Sequence, residues 1–181
     1  MERIKVLTDN IISLVVPEKQ DIEVWYKWIN DIETQSFLWT MYWEIITLED
    51  EQDFYEDIRK DKKTKLFSIF VDEYKKIIWN ISLWVDFRNR KAELGVVIFD
   101  KENRWKWYWT KAINLILKYG FLVLWLNKIT LRFFDFNKKA QKVYKKIWFK
   151  ECWRFKKDYF IWGKYCDVIC MEIFRDEFLV E

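Results

Sequence analysis

The spacing of apolar residues divides the chain into short strands and amphipathic helices. Strands are predicted where β-branched and aromatic residues cluster between turn residues, at Ile11–Val16, Lys65–Val71, Lys76–Val85, Ala92–Ile98, Lys128–Phe134, Lys150–Ile161 and Tyr165–Phe174. Helices are predicted where apolar residues recur every three or four positions, at Glu18–Asn30, Thr47–Lys60, Thr110–Leu122 and Asn137–Ile147. The order β-α-α-β-β-β-α-β-α-β-β favours an α/β (α+β) fold, a mixed sheet of about seven strands with about four helices on its two faces. We expect a single domain over residues 1–181, because this length suffices for one core.

The segment Asp100–Thr110, which reads DKENRWKWYWT, joins a predicted strand to a predicted helix. Free backbone N–H groups and the helix dipole make such a junction favourable for an anion. The basic side chains of Arg104 and Lys106 add to that attraction. A loop that cradles a phosphate needs glycine, which lets the backbone approach closely and adopt positive φ. In this chain three tryptophans occupy the loop instead, at 105, 107 and 109.

The same imbalance runs through the whole composition. An average chain of this length would carry roughly 13 glycines, but this one has 3 Gly and 13 Trp. We therefore hypothesise that many of the tryptophans occupy glycine positions, as happens when a UGA codon that means glycine is read as tryptophan. The alternative is a protein that is naturally rich in tryptophan. UGG codons at positions 105, 107 and 109 would contradict the recoding hypothesis.

Composition narrows the possible chemistry. The chain has no histidine, which excludes Ser-His-Asp and Cys-His catalysis and histidine-based zinc sites, and we expect no metal. Three cysteines without a CxxC pair, at 152, 166 and 170, indicate buried thiols in a reducing cytoplasm. No apolar run reaches the roughly 20 residues of a membrane span, and no signal-peptide core follows the N-terminus. A net charge of +3 permits an anionic ligand but does not by itself indicate nucleic acid.

The motifs resemble those of the GNAT-fold N-acetyltransferases, in the branch that acts on ribosomal proteins and polyamines. That family's acetyl-CoA loop reads Arg or Gln, two residues, Gly, one residue, then Gly or Ala, and here Arg104, Trp107 and Trp109 fall on those places. With glycine at the three tryptophans, the loop would read RGKGYGT. The resemblance covers about residues 11–178. Two further segments match the family: the strand Lys91–Gly95, and the N-x-x-A-x-x-x-Y motif at Asn137, Ala140 and Tyr144. Ile147-Trp148-Phe149 stands where the family has a Gly-Phe pair. Trp79, Trp153 and Trp162 also fall where relatives often carry glycine, whereas Trp28 falls where relatives carry tryptophan.

The resemblance implies acetyl-CoA as acetyl donor and a primary amine as acceptor, on a small molecule such as a polyamine or at a protein N-terminus. Tyr144 would be the acid that protonates the leaving thiolate, and Glu93 the base, directly or through water. The cofactor would be bound by strand residues Val96, Val97 and Ile98, by the loop and helix start Arg104, Trp105, Lys106, Trp107, Tyr108, Trp109 and Thr110, and by Asn137. From the residues alone, Tyr144 also fits a core aromatic, Glu93 a solvent-facing side chain and Asn137 a helix N-cap.

Two further expectations concern the tryptophans and the partners. Indoles in the loop would obstruct the phosphate site, and buried indoles at 79, 148 and 153 would overpack the core at about 1–3 kcal/mol each. The alternating cations and aromatics of residues 104–109 also fit a module that binds single-stranded nucleic acid or a membrane surface. The small net charge counts against this alternative, so we expect no nucleic-acid or membrane partner. By resemblance, a homodimer is a further possibility.

Overall fold

A single mixed sheet organises the described part of the molecule. The computed structural model describes residues 3–39, 44–98 and 108–179. Within these ranges eight strands lie in the order β1-β2-β3-β4-β5-β6-β8-β7. Their bounds are Lys5–Thr8, Ile12–Val15, Thr64–Val71, Lys76–Asp86, Lys91–Ile98, Lys128–Phe134, Lys150–Ile161 and Lys164–Phe174 for β1 to β8. The predicted fold class is confirmed, with one strand more than expected, since β1 was not predicted.

Within the same ranges, five α-helices lie between these strands and a sixth follows β8. They are Ile22–Ile29, Ile32–Gln35, Leu48–Lys60, Tyr108–Lys118, Lys138–Lys146 and Arg175–Phe178 for α1 to α6. The helix predicted over Glu18–Asn30 is shorter than expected, because its first turn is the 3₁₀ segment Lys19–Asp21. The N-cap predicted at Thr47 is confirmed, since its side chain accepts a hydrogen bond from the Asp50 N–H at 3.1 Å. The helix predicted over Thr110–Leu122 begins earlier, at Tyr108, and its last part is a π-helical turn over Tyr119–Val123.

Helices cover both faces of the sheet. On the first face, α4 and α5 pack on the main core, to which they contribute buried residues such as Ile113, Ile116 and Ala140. On the second face, α1 and α3 form a smaller cluster around Trp25 and Tyr55. Side chains alternate along a strand, so the neighbours Leu66 and Phe67 on β3 contact different clusters.

The sheet consists of two antiparallel blocks joined by one short parallel contact. Strands β1 to β5 pair antiparallel in sequence order, and β8 pairs antiparallel with both β6 and β7. The parallel contact between β5 and β6 comprises only Lys91↔Lys128, Ala92↔Ile129 and Glu93↔Thr130. Beyond these pairs β5 continues to Ile98 and β6 to Phe134. The two strands therefore separate, and a gap opens between them in the described part of the sheet.

Three tryptophans adopt the left-handed backbone conformation that favours glycine. The φ angles are 54° at Trp125, 70° at Trp148 and 53° at Trp162. Trp125 follows the π-helical turn, and its neighbour Leu126 donates its N–H to the Gly120 carbonyl at 3.0 Å. Trp162 and Gly163 (φ 74°) are the two central residues of the turn between β7 and β8, and a two-residue turn with positive φ at both positions is of type I′.

Trp148 lies at the end of α5, and its backbone forms a Schellman motif. The Phe149 N–H donates to the Tyr144 carbonyl at 3.1 Å, and the Trp148 N–H donates to the Lys145 carbonyl at 3.2 Å. The rings of Tyr144 and Phe149 meet with centroids 6.1 Å apart, which is the apolar contact that accompanies this motif. In a Schellman motif the left-handed position, here Trp148, is usually glycine.

The expected overpacking at two of the tryptophans is wrong. The side chains of Trp148 and Trp153 are 57% and 62% exposed, so neither indole is forced into the core. The structure does not describe the side chain of Trp79. The expectation of buried thiols is wrong for Cys152, which is exposed, while Cys166 is buried and Cys170 is half-buried.

Candidate active site

Three of the predicted cofactor-binding residues lie on β5, along the gap between β5 and β6. Val96 is half-buried on β5, and the backbone of Val97 and Ile98 continues that strand, paired with β4 on its other side. The described pairing between β5 and β6 ends at Glu93↔Thr130. An extended ligand could therefore form strand-like hydrogen bonds to this side of β5, as a bound peptide does at a sheet edge.

The start of α4 lies directly after the predicted loop. Tyr108 is the first residue of the helix and is buried, and Thr110 is half-buried. The N–H groups of a helix's first turn have no intrahelical acceptor and can bind an anion. The predicted loop residues Arg104, Trp105, Lys106 and Trp107 lie outside the described residues. The alternating cations and aromatics of the nucleic-acid or membrane alternative lie mostly there as well.

Tyr144 is enclosed by aromatic rings on the first face of the sheet. Its side chain is 5% exposed, with ring centroids 5.4 Å from Phe133 and 6.0 Å from Trp109. Burial raises the pKa of the Tyr144 phenol above its ordinary value, because the phenolate would be poorly solvated. The hydroxyl therefore stays protonated at neutral pH, as a proton donor must.

Trp109 fills the space beside Tyr144. The indole meets the phenol ring edge-on, with an interplanar angle of 90°. The Trp109 indole N–H is buried and finds no hydrogen-bond acceptor within the described ranges. Burying such a donor unpaired costs about 1–3 kcal/mol. This indole therefore fits its site poorly, although it packs against the core.

Asn137 caps α5, the helix that carries Tyr144. Its side-chain oxygen accepts a hydrogen bond from the Ala140 N–H at 3.1 Å. The N-cap interpretation of Asn137 is therefore confirmed, and a contact with the cofactor stays a prediction. The cap and the Schellman motif together fix both ends of the helix.

Glu93 lies on the second face of the sheet, opposite Tyr144. Its carboxylate Oε1 accepts a hydrogen bond from Arg132 Nε at 2.7 Å. This bond holds the pKa of the Arg132 guanidinium above its ordinary value. The two predicted catalytic residues are therefore on different faces, and the gap between β5 and β6 separates them.

An open cleft of about 370 Å³ lies in front of Glu93, lined by Trp39, Trp84, Glu93 and Arg132. Trp84 pairs with Glu93 across β4 and β5. A Cβ added at Gly95 would meet the Trp84 ring at 2.6 Å, so this indole lies directly over the strand. Arg132, Trp39 and Trp84 were not among the predicted site residues. The alternation along β6 marks Arg132 as facing away from the core, but its partner depends on the pairing with β5.

The described residues contain no group of three or more His, Cys, Asp or Glu side chains placed to hold a metal ion. No helix among them is long and apolar enough to cross a membrane.

Comparison with known proteins identifies the class of this site. The chain matches the acetyltransferase (GNAT) domain family over residues 12–150. The chain therefore belongs to the GNAT acetyltransferase family, which confirms the predicted class of enzyme, an acetyl-CoA-dependent N-acetyltransferase. The predicted acetyl donor and fold agree with this membership.

Individual relatives fall within the same class. The chain is 30% identical over 129 residues to a spermidine N(1)-acetyltransferase of Escherichia coli K12, covering 71% of this chain and 68% of the relative. It is 32% identical over 125 residues to the acetyltransferase PseH of Campylobacter jejuni, covering 69% and 74%. The structure of Vibrio cholerae spermidine N-acetyltransferase in complex with CoA and spermine superposes with a TM-score of 0.87 at 25% identity, covering 94% of this chain and 99% of that one.

Proposed function

We propose that this enzyme transfers the acetyl group of acetyl-CoA to a primary amine by direct attack at the gap between β5 and β6. The observation that carries the proposal is the early end of the parallel pairing, at Glu93↔Thr130. It leaves an open strand edge with a buried phenol on one face and a carboxylate on the other. A thioester in the gap would be accessible from both faces.

The cofactor would lie along β5 and end at α4. Backbone groups of Val96, Val97 and Ile98 would hydrogen-bond the pantetheine arm and polarise the thioester carbonyl, because strand N–H groups without a partner bind a carbonyl oxygen. The pyrophosphate would bind the N–H groups of residues 104–110, with help from Arg104 and Lys106. Asn137 would contact the arm from the start of α5 through atoms that its capping bond leaves free.

Tyr144 and Glu93, on opposite faces of the sheet, would each take part in one proton transfer. The amine nitrogen attacks the thioester carbon, the carbon–sulfur bond breaks, and CoA leaves as a thiolate that takes the proton of the Tyr144 hydroxyl. Glu93 accepts the proton that the amine loses, directly or through water. Arg132 holds the Glu93 carboxylate at 2.7 Å, on the face where the acceptor would enter.

The acceptor is a primary amine on a small molecule, such as a polyamine, or at a protein N-terminus. The names of the relatives from Escherichia coli and Vibrio cholerae, both spermidine acetyltransferases, support an amine of this kind. Family membership gives no support to the nucleic-acid or membrane alternative. The single domain, the homodimer and the cytoplasmic location stay predictions.

We also propose that the active protein carries glycine at the tryptophans of the cofactor loop. Two observations on described residues support this. The backbone is left-handed at Trp125, Trp148 and Trp162, where glycine is favoured. Trp109 places a buried, unpaired indole N–H beside Tyr144, and glycine at this position would open that space.

The experiment compares acetyl-CoA binding by three full-length chains in calorimetric titrations. The first is the printed sequence, the second carries glycine at 105, 107 and 109, and the third carries glycine at 125, 148 and 153 as a matched control. We expect the loop variant to bind about tenfold or more tightly than the other two, which is about 1.4 kcal/mol.

Equal affinity of all three chains would contradict the glycine proposal but leave the enzyme proposal standing. Failure of every folded chain to bind acetyl-CoA would contradict the enzyme proposal itself. If both triple variants bound acetyl-CoA equally well and more tightly than the printed sequence, removing indoles from any part of the chain would be enough to improve binding. That result would also contradict a specific role of the loop.

A further inference from the structure

Among the residues that the structure describes, the cleft on the second face is lined by one acid and one base rather than by several carboxylates. Of the four described residues that line it, Glu93 is the only acid and Arg132 the only base. Trp39 and Trp84 supply the aromatic walls. A site for a polycation would be expected to gather several carboxylates, since each ammonium group needs an anionic partner when it leaves water.

Arg132 has binding capacity that its ion pair does not use. Its Nε donates to Glu93, and its guanidinium carbon lies 5.1 Å from the Trp39 ring centroid. Its two terminal nitrogens, Nη1 and Nη2, have no hydrogen-bond acceptor in the part of the chain that the structure describes. The side chain is 46% exposed, so these donors can reach a ligand in the cleft.

The geometry of a guanidinium favours one kind of ligand. Its planar fork matches a carboxylate or a phosphate, with two parallel N–H···O bonds. The Trp39 ring restricts where the guanidinium can lie, which lowers the entropy lost on binding. A diamine, by contrast, would place its second ammonium group in a cleft that already holds a positive charge.

We propose that Arg132 is a specificity-determining residue, and that it selects a small primary amine bearing a carboxylate or phosphate a few bonds from the amino group. The oxyanion would bind the free Nη1 and Nη2 donors while the amino group faces Glu93. This inference rests on the proposed function, because it assigns the acceptor of the same site. The acceptor would thus differ in charge from the spermidine named for two of the relatives.

The test compares three acceptors of similar length: 5-aminopentanoate, 4-aminobutyl phosphate and 1,5-diaminopentane. Each is titrated calorimetrically, without acetyl-CoA, into the full chain with glycine at 105, 107 and 109 and into the printed sequence. We expect at least one of the two anionic amines to bind about tenfold or more tightly than the diamine. The stronger of the two identifies the oxyanion as carboxylate or phosphate.

The matched variants are Arg132→Gln and Arg154→Gln. Arg154 lies on β7 and pairs with Glu151 and Asp167 at 3.2 and 3.3 Å, so its replacement removes two arginine ion pairs outside the lining of the cleft. We expect Arg132→Gln to abolish the preference for the anionic amine and Arg154→Gln to leave it unchanged. In acetylation assays, Arg132→Gln should raise KM for the anionic amine about tenfold and change KM for the diamine far less.

A diamine that binds as tightly as both anionic amines, or a preference that survives Arg132→Gln, would overturn the inference. Absence of binding by every acceptor would overturn it as well. A separate result tests the proposed function: it fails if the folded variant with glycine at 105, 107 and 109 does not bind acetyl-CoA. The acceptor titrations contain no acetyl-CoA, so they still decide the role of Arg132 in that case.

Discussion

At the exposed Trp148 a glycine substitution should give a more stable protein than an alanine substitution, and at the exposed Trp153 the order should be reversed. The two indoles are 57% and 62% exposed, but only Trp148 has positive φ, at 70°. Replacing either residue by glycine or by alanine removes the same indole. The difference between the two replacements therefore isolates the effect of the Cβ atom on the backbone.

The expected magnitude follows from two opposing terms. A Cβ in the left-handed region costs roughly 1–2 kcal/mol, whereas the freedom of glycine in the unfolded chain costs about 0.4–1 kcal/mol relative to alanine. Trp148→Gly should therefore be more stable than Trp148→Ala by about 0.5–1 kcal/mol. At Trp153, within β7, no strain is relieved, and alanine should be the more stable by about 0.5–1 kcal/mol.

The assay is urea unfolding of the four variants, with thermal unfolding as a second measure. For a protein of this size 1 kcal/mol corresponds to about 2–4 °C in Tm. Trp148→Gly should thus melt roughly 1–4 °C above Trp148→Ala, with the order reversed at Trp153. Alanine equal to or better than glycine at Trp148 would refute the reasoning, because the left-handed backbone would then impose no requirement for glycine.

Two further predictions concern Tyr144 and Glu51. In the chain with a glycine loop, Tyr144→Phe should lower kcat about 10²–10⁴-fold with KM for acetyl-CoA little changed, and an unaltered kcat in steady-state assays would remove Tyr144 as the acid. Burial raises the pKa of Glu51 to about 7, so the folded state retains a proton that the unfolded state releases, and stability should fall as pH rises from about 4.5 to 7. Glu51→Gln should remove that fall, so that its stability advantage over the parent chain grows by about 1–2 kcal/mol between pH 5 and pH 8. The measurement is thermal unfolding beside Glu49→Gln, an exposed control, and identical pH profiles of Glu51→Gln and the parent chain would contradict the assignment.

Local patterns predicted most of the elements. Lys128–Phe134 and Lys150–Ile161 agree with the structure at both ends, because β-branched and aromatic residues run between clear polar breaks. The strand Lys5–Thr8 escaped prediction because its side chains are mostly exposed, so no buried face produces an alternation. The caps Thr47 and Asn137 were readable because a capping side chain acts within three residues.

The arrangement of the site could not be read from the sequence. Tyr144 and Glu93 lie on opposite faces of the sheet, which depends on how α5 packs and on how β5 pairs with β6. The bond from Arg132 to Glu93 joins residues 39 positions apart. The wrong expectation for Trp148 has the same origin, since its exposure follows from the geometry at the end of α5.

The three-residue parallel contact also has a mechanical consequence. A five-stranded block and a three-stranded block meet there, so separating the blocks breaks fewer backbone hydrogen bonds than separating β3 from β4 or β4 from β5, which pair over eight residues each. Among the described pairings of β3 to β8, the shortest one therefore coincides with the gap proposed for the donor. A molecule bound in that gap would contact both blocks and hold them together. After its release, β5 and β6 would be joined only by their three described residue pairs at one end of the gap.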